Sequence, residues 1–302
     1  MKVLELPDRR PIAASGAMGP NGKGWIPVQR WLPLYWTLLV TLKTVTLDPH
    51  DGNPWWKAIR PLPLRDACVN AMALGNRGIV HLIEKILPTV RDQVIISIWA
   101  KDPEEMRGLV EVINRHYQEH PERFERVVAF EVNLSCPNVN EVLDILGILR
   151  EANELPLPII AKTGYDPDST VYVRPVVEAA EKGWIQGISA INTIPWKMLF
   201  SDESPLRYTL GLDGGVSGPR IRDNAIETIK ELRTRLSIAG ISADFPIIGG
   251  GGICRMADVK KFRSAGATHI SIGTALNWSP LRSICLLFRL WIEKVLTQIR
   301  AS

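Results

Sequence analysis

Short apolar runs recur along the chain and alternate with stretches of helical spacing. Residues 12–16, 38–44, 94–100, 127–135, 159–163, 187–193, 246–251 and 269–274 each read as a strand. They are apolar throughout rather than strictly alternating, as strands covered on both faces are. Between them, Ile79, Leu82, Ile83 and Ile86 share one helical face. Asp102 reads as the N-cap of a helix over 103–118 with Pro103 at its first position. Further helices are predicted over 141–152, 171–182, 220–236 and 257–264, with an amphipathic helix over 281–299. Eight such β/α units predict an α/β fold, a single (β/α)8 TIM barrel, with residues 1–302 as one domain. A doubly wound sheet is the alternative, but nothing marks a change of direction halfway. Residues 46–73 are punctuated by Pro49, Gly52, Pro54, Pro61 and Pro63. They are expected to form an extended loop after the second strand, a lid or a wall of the site.

Composition narrows the class without naming a chemistry. Hydrophobic residues make up 46% and charged residues 23%, as in a soluble globular protein. The formal net charge of +4 comes without a long Lys/Arg run, which argues against nucleic acid. The four cysteines lie far apart and the five histidines form no ligand motif, so neither a disulfide framework nor a metal site is expected. The cysteine usage and the charged first ten residues point to the cytoplasm. The apolar stretch 31–42 is interrupted by Pro33 and too short to span a bilayer. Core packing or a subunit contact suits this Trp-rich patch better than a membrane surface.

Polar residues cluster where barrel chemistry belongs. Ser15, Lys43, Asn133, Lys162, Asn192, Gly250 and Gly273 each fall at or just past the C-terminal end of an expected strand. Two lysines at a barrel mouth require an anionic partner. Glycines after the seventh and eighth strands (I-G-G-G-G-I over 248–253, I-G-T-A over 272–275) let backbone N–H groups close on a phosphate. A further glycine loop, 212–219, stands directly before a helix. The fourth strand ends in N-L-S-C-P-N, which sets the Cys136 thiol between two carboxamides and before a fixed proline. Cys136 alone could equally be a buried structural thiol. With a phosphate site and two lysines, the constellation suggests a flavin redox centre.

These residues also resemble a known family. A-A-S-G (13–16), K-T-V-T-L (43–47), G-N-P (52–54), N-A-M-A-L-G-N (70–76) and N-L-S-C-P-N-V (133–139) are similar to dihydroorotate dehydrogenases of the soluble, cysteine-base class. A-K-T, I-N-T, G-G-V-S-G, G-G-G-G-I and I-G-T-A follow in order, so the resemblance runs from about residue 12 to 275. It implies an FMN-binding barrel that oxidises dihydroorotate to orotate in pyrimidine biosynthesis, with Cys136 as general base and the flavin N5 as hydride acceptor. It implies that Lys43, Asn70, Met72, Leu74, Asn133, Asn138, Asn192 and Thr193 hold the pyrimidine. FMN would meet Ala14, Ser15, Gly16, Lys43, Thr44, Lys162, Gly215 and Gly218, and then Gly250, Gly251, Gly252, Gly273 and Thr274. A homodimer is expected. The electron acceptor stays open among fumarate, NAD through an iron–sulfur subunit, and a quinone, and the chain has no cysteine cluster to indicate such a subunit. His50, Trp55, Trp56, Lys57 and Ala73 depart from the family pattern on the pyrimidine side, and the loop after Cys136 is short. The alternatives are an FMN enzyme acting on another dihydropyrimidine or related cyclic substrate, and a non-catalytic flavin-binding module.

Overall fold

Parity along the strands decides what fills the centre of this protein. The computed structural model describes residues 2–7, 10–19, 21–23, 37–135, 144–278 and 280–301. In chain order the strands are β1 Ile12–Ala13, β2 Leu39–Thr41, β3 Ile59–Leu62, β4 Ala67–Asn70, β5 Val94–Ile98 and β6 Val127–Asn133. They continue as β7 Ile159–Lys162, β8 Gly187–Ala190, β9 Ile194–Pro195, β10 Gly215–Ser217, β11 Ile247–Gly249 and β12 His269–Ile272. Eight of them close into a barrel in the order β1-β12-β11-β8-β7-β6-β5-β2. Every neighbouring pair in it is parallel.

Side chains alternate across a strand, so every second residue of a barrel strand points inward. Ile12, Leu39, Ile95, Ala129, Ile160 and Ile248 pack together as one inner layer. The N-terminal segment closes that end, with Leu4 and Leu6 against the layer. Two residues further along the same strands stand Ala14, Thr41, Ser97, Glu131, Lys162 and Gly250. The barrel interior therefore turns from apolar to polar in one step of the pleat. The outward parity packs against the helices in the larger core, with Ile96, Phe130 and Ala161 fully buried.

The helices follow from capping and apolar faces. Asp102 accepts a hydrogen bond from Glu105 N (2.8 Å) at the start of Pro103–Glu119, as expected. Met106, Leu109 and Ile113 on its inner face are fully buried, each stabilising the fold by roughly 2 kcal/mol. The C-terminal helix Pro280–Ala301 buries Leu286, Leu287 and Leu290, and Arg263 Nη1 pairs with Glu293 Oε2 at 2.9 Å. No helix among the described residues is long and apolar enough to cross a membrane.

The expected extended loop after the second strand is irregular over residues 46–54 and 71–73 but carries regular structure between them. Residues 55–58 are helical, and β3 and β4 form an antiparallel hairpin. That hairpin continues into β10 and β9 as a four-stranded sheet over the mouth of the barrel, so the 212–219 glycine loop also contains a strand. Pro61 is tolerated because β3 is an edge strand, where a missing N–H costs no ladder bond. The proline-rich spelling hides these strands, and the partner on the other side of β4, β10, lies more than a hundred residues away.

Candidate active site

One cavity opens at the C-terminal ends of the barrel strands, beneath the four-stranded sheet. Ala14, Ser15, Gly16, Lys43 and Thr44 enter it just past β1 and β2. Asn133, Lys162, Asn192 and Thr193 come from β6, β7 and the turn after β8. Asn70, Met72 and Leu74 descend from the end of β4, and Gly218 from the end of β10. Gly250, Gly251, Gly252, Gly273 and Thr274 complete the wall after β11 and β12. The cavity is thus walled by a barrel floor and a sheet roof that come from distant parts of the chain.

A polar chain runs across the floor. Ser15 Oγ donates to Leu42 O (3.0 Å) and shares a hydrogen bond with Thr44 Oγ1 (3.1 Å). Thr44 Oγ1 and Ser97 Oγ are 2.9 Å apart, and Ser97 Oγ donates to Glu131 Oε1 at 3.0 Å. Lys162 Nζ reaches the same Glu131 oxygen at 3.5 Å. Five consecutive barrel strands are therefore joined by side chains from residues 15, 44, 97, 131 and 162. Lys162 has its anionic partner within the protein, where the sequence pointed to an anion at the mouth.

At the other side of the floor, Asn192 Nδ2 donates to Asn133 Oδ1 (3.2 Å) and to Ser135 O (2.6 Å). Asn133 Oδ1 also accepts from Ser135 N at 3.4 Å. The Asn133 oxygen is thus committed within the protein, and its Nδ2 is the end left for the cavity. Lys43 Nζ donates to Gly75 O, at the edge of the roof.

The roof is pinned by two motifs read in the sequence. Asn53 donates through Nδ2 to Ala71 O (2.7 Å) and through its backbone N to Met72 O (3.1 Å). Asn76 Nδ2 donates to Leu74 O (2.7 Å) and Thr46 Oγ1 (2.8 Å), while its Oδ1 accepts from Gly78 N at 2.7 Å. Gly52 is required: its φ is +60°, and a Cβ there would lie 2.3 Å from Gly75 Cα. Ala73 and Leu74 adopt φ of +49° and +56°, in the left-handed region. Glycine at position 73 would suit that backbone better than the alanine present.

The sequence model of dihydroorotate dehydrogenase matches residues 12–285. The chain belongs to the dihydroorotate dehydrogenase family. The catalytic subunit of dihydroorotate dehydrogenase B (NAD(+)) from Pyrococcus furiosus is 31% identical over 274 residues, covering 84% of this chain and 81% of that one. Its counterpart from Desulforudis audaxviator is 30% identical, covering 89% and 83%. The ligand-free DHODH from Eimeria tenella shares the fold at a TM-score of 0.63 and 16% identity, covering 92% of this chain and 82% of that one. As a dihydroorotate dehydrogenase homologue, the chain is an oxidoreductase of CH–CH donors, from a family of flavoproteins that serves pyrimidine biosynthesis.

Most expected site residues in this family member meet at the cavity. Gly215 does not line it. It lies in β10 opposite Asn70, and its carbonyl accepts from Asn70 Nδ2 at 3.4 Å, so it positions a lining residue instead. Cys136 and Asn138 fall outside the described residues, as do the loop after them and the Trp-rich segment 24–36. Glu131, Ser189, Ser217, Ser271 and Cys68 line the cavity without having been singled out. Glu131 was legible, since a carboxylate two residues before Asn133 in an apolar strand shares its inward parity. Cys68 was not, because only the antiparallel pairing with Ser217 brings it over the barrel. Burial pushes the Cys68 thiol up to about 12, so it stays protonated.

Proposed function

We propose that this chain oxidises dihydroorotate to orotate with FMN held in the cavity and Cys136 as the base. The observation that carries the reading is that one cavity combines two chemistries. Carboxamides of Asn70, Asn133 and Asn192 line it together with Lys43, and so do the glycines at 250–252 and 273. A Cβ at Gly252, where φ is +88°, would sit 2.6 Å from Gly218 O. Only glycine fits that backbone packing, and glycines along this wall leave their N–H groups uncovered by side chains of their own, as binding of a phosphate to backbone requires. FMN bound in this cradle would supply the two-electron acceptor that oxidation of a CH–CH bond needs.

The chain's own residues do the rest. Lys43 and the three asparagines orient the pyrimidine ring, which has carbonyl acceptors, N–H donors and a carboxylate. Asn192 fixes which way Asn133 faces by occupying its oxygen. Cys136, one residue beyond Ser135, takes the C5 proton while the C6 hydrogen leaves with its electron pair. The β3–β4 hairpin covers part of the mouth, with Ile59, Cys68 and Asn70 facing the cavity.

The relatives are named catalytic subunits of NAD(+)-linked enzymes. We infer the same arrangement here, with electrons leaving to NAD through a second chain. Anaerobic titration of the purified flavoprotein tests the reading. Dihydroorotate should bleach the flavin, and Cys136→Ala should keep the flavin bound but bleach at least about a hundredfold more slowly. Bleaching by dihydrouracil and not by dihydroorotate would overturn the substrate. Unchanged bleaching in the variant would overturn the base.

A further inference from the structure

Behind the glycine wall lies a second cleft of about 620 Å³, lined by Arg222, Arg255, Arg282 and Arg289 with Asp66. Its size is that of a small-molecule site. It shares a wall with the first cavity. Gly218 and Gly252 face one side, while the following residues Pro219, Cys254 and Arg255 face the other. Arg222 bridges the wall, donating through Nε and Nη2 to Gly252 O at 3.0 and 2.9 Å.

Charge in this cleft is unbalanced. Asp258 is fully buried and takes Arg222 at 3.3 Å and Arg255 at 3.5 Å, so one carboxylate serves two guanidinia. Arg282 and Arg289 have no carboxylate partner among the described residues. They stand seven residues apart on the helix Pro280–Ala301, two turns along one face. Between and around them the lining is apolar, from Met256, Leu281 and Leu286. Guanidinium forks match oxyanions bidentately, and a phosphate among several of them forms stronger bonds than a neutral acceptor would.

We propose that this cleft is a binding site for an organic phosphate. The phosphate lies among Arg282, Arg289 and the outer edge of Arg255, and an apolar or aromatic body rests on Met256, Leu281 and Leu286. The site is separate from the cofactor cavity and stands whether or not that cavity takes FMN.

Calorimetric titration of 1-naphthyl phosphate into the purified protein with its bound cofactor tests this at constant ionic strength. One equivalent should bind saturably, and inorganic phosphate should bind about tenfold more weakly for lack of the apolar body. Arg282→Gln with Arg289→Gln should weaken 1-naphthyl phosphate at least about tenfold, and the paired lysine variants should recover only part of the loss. Both arginines are exposed, so the melting temperature should not move. Each single glutamine variant should show a smaller loss of the same sign. No saturable binding, or equal affinity in wild type and the double glutamine variant, would overturn the site.

Discussion

Lys162 Nζ and Glu131 Oε1 face each other at 3.5 Å inside the barrel, with side-chain exposures of 10% and 6%. Each comes from the inward parity of its own strand, and Asn133 pairs with Lys162 in the parallel register of β6 and β7. Removing one partner of a buried pair leaves a charge without compensation, which costs about 3 kcal/mol or more. Glu131→Leu and Lys162→Met should each lower stability by that amount in urea unfolding. The double variant should recover part of it. Losses that simply add would show that the two groups are not coupled.

Asn76 makes its roof contacts through one carboxamide. Asn76→Ala leaves Leu74 O, Gly78 N and Thr46 Oγ1 without that partner, a loss of about 2 kcal/mol. Because Met72 and Leu74 line the cavity, KM for dihydroorotate should rise more than kcat falls in steady-state assays. A pure loss of stability with unchanged KM would remove the roof from substrate binding.

Ala73 holds a left-handed backbone next to a second left-handed residue, Leu74. Ala73→Gly should relieve about 1 kcal/mol of that cost and raise the melting temperature by a few degrees. A lower melting temperature would mean that the Ala73 methyl contributes more by packing than its backbone costs.

Cys68 lines the cavity as a thiol held up to about 12 by burial. Its ordinary value is about 8.5. The group is raised in the folded state, so its stabilising contribution is complete below the ordinary value and is lost as pH rises from there toward 12. At pH 8 it should resist iodoacetamide while the exposed Cys285 reacts, as read by peptide mass spectrometry. Rapid labelling of Cys68 in folded protein would show that the roof opens.

Asn192→Ala should free Asn133 Oδ1 from its 3.2 Å partner and allow the Asn133 amide to turn. The expected result is a loss of about tenfold or more in kcat/KM with flavin affinity unchanged. An equal loss of flavin affinity would reassign Asn192 to the cofactor.

The barrel was legible in the chain because its strands are buried on both faces and its helices carry their own caps and apolar stripes. Those are local properties, and the Asp102 cap with Pro103 at the first helical position is found where the sequence puts it. Most lining residues were legible for a related reason: they end strands, and a parallel barrel gathers all its strand ends on one side. Motif order did the remainder, since G-N-P and N-A-M-A-L-G-N stand in the chain as a signature of their own.

Tertiary structure alone decided the roof and the charge balance beneath it. Residues 59–70 look like a proline-broken loop, but they fold as a hairpin whose inner strand, β4, pairs with β10 about 150 residues later and so joins a four-stranded sheet. Backbone hydrogen bonds between distant segments leave no periodic trace in either one. Glu131 and Lys162 likewise stand thirty-one residues apart in sequence. Whether a buried lysine meets a ligand or its own carboxylate depends on barrel closure and register, which bring neighbouring strands together at one level. The chain by itself specified which residues point into the barrel mouth; the closed sheet determined what each of them faces.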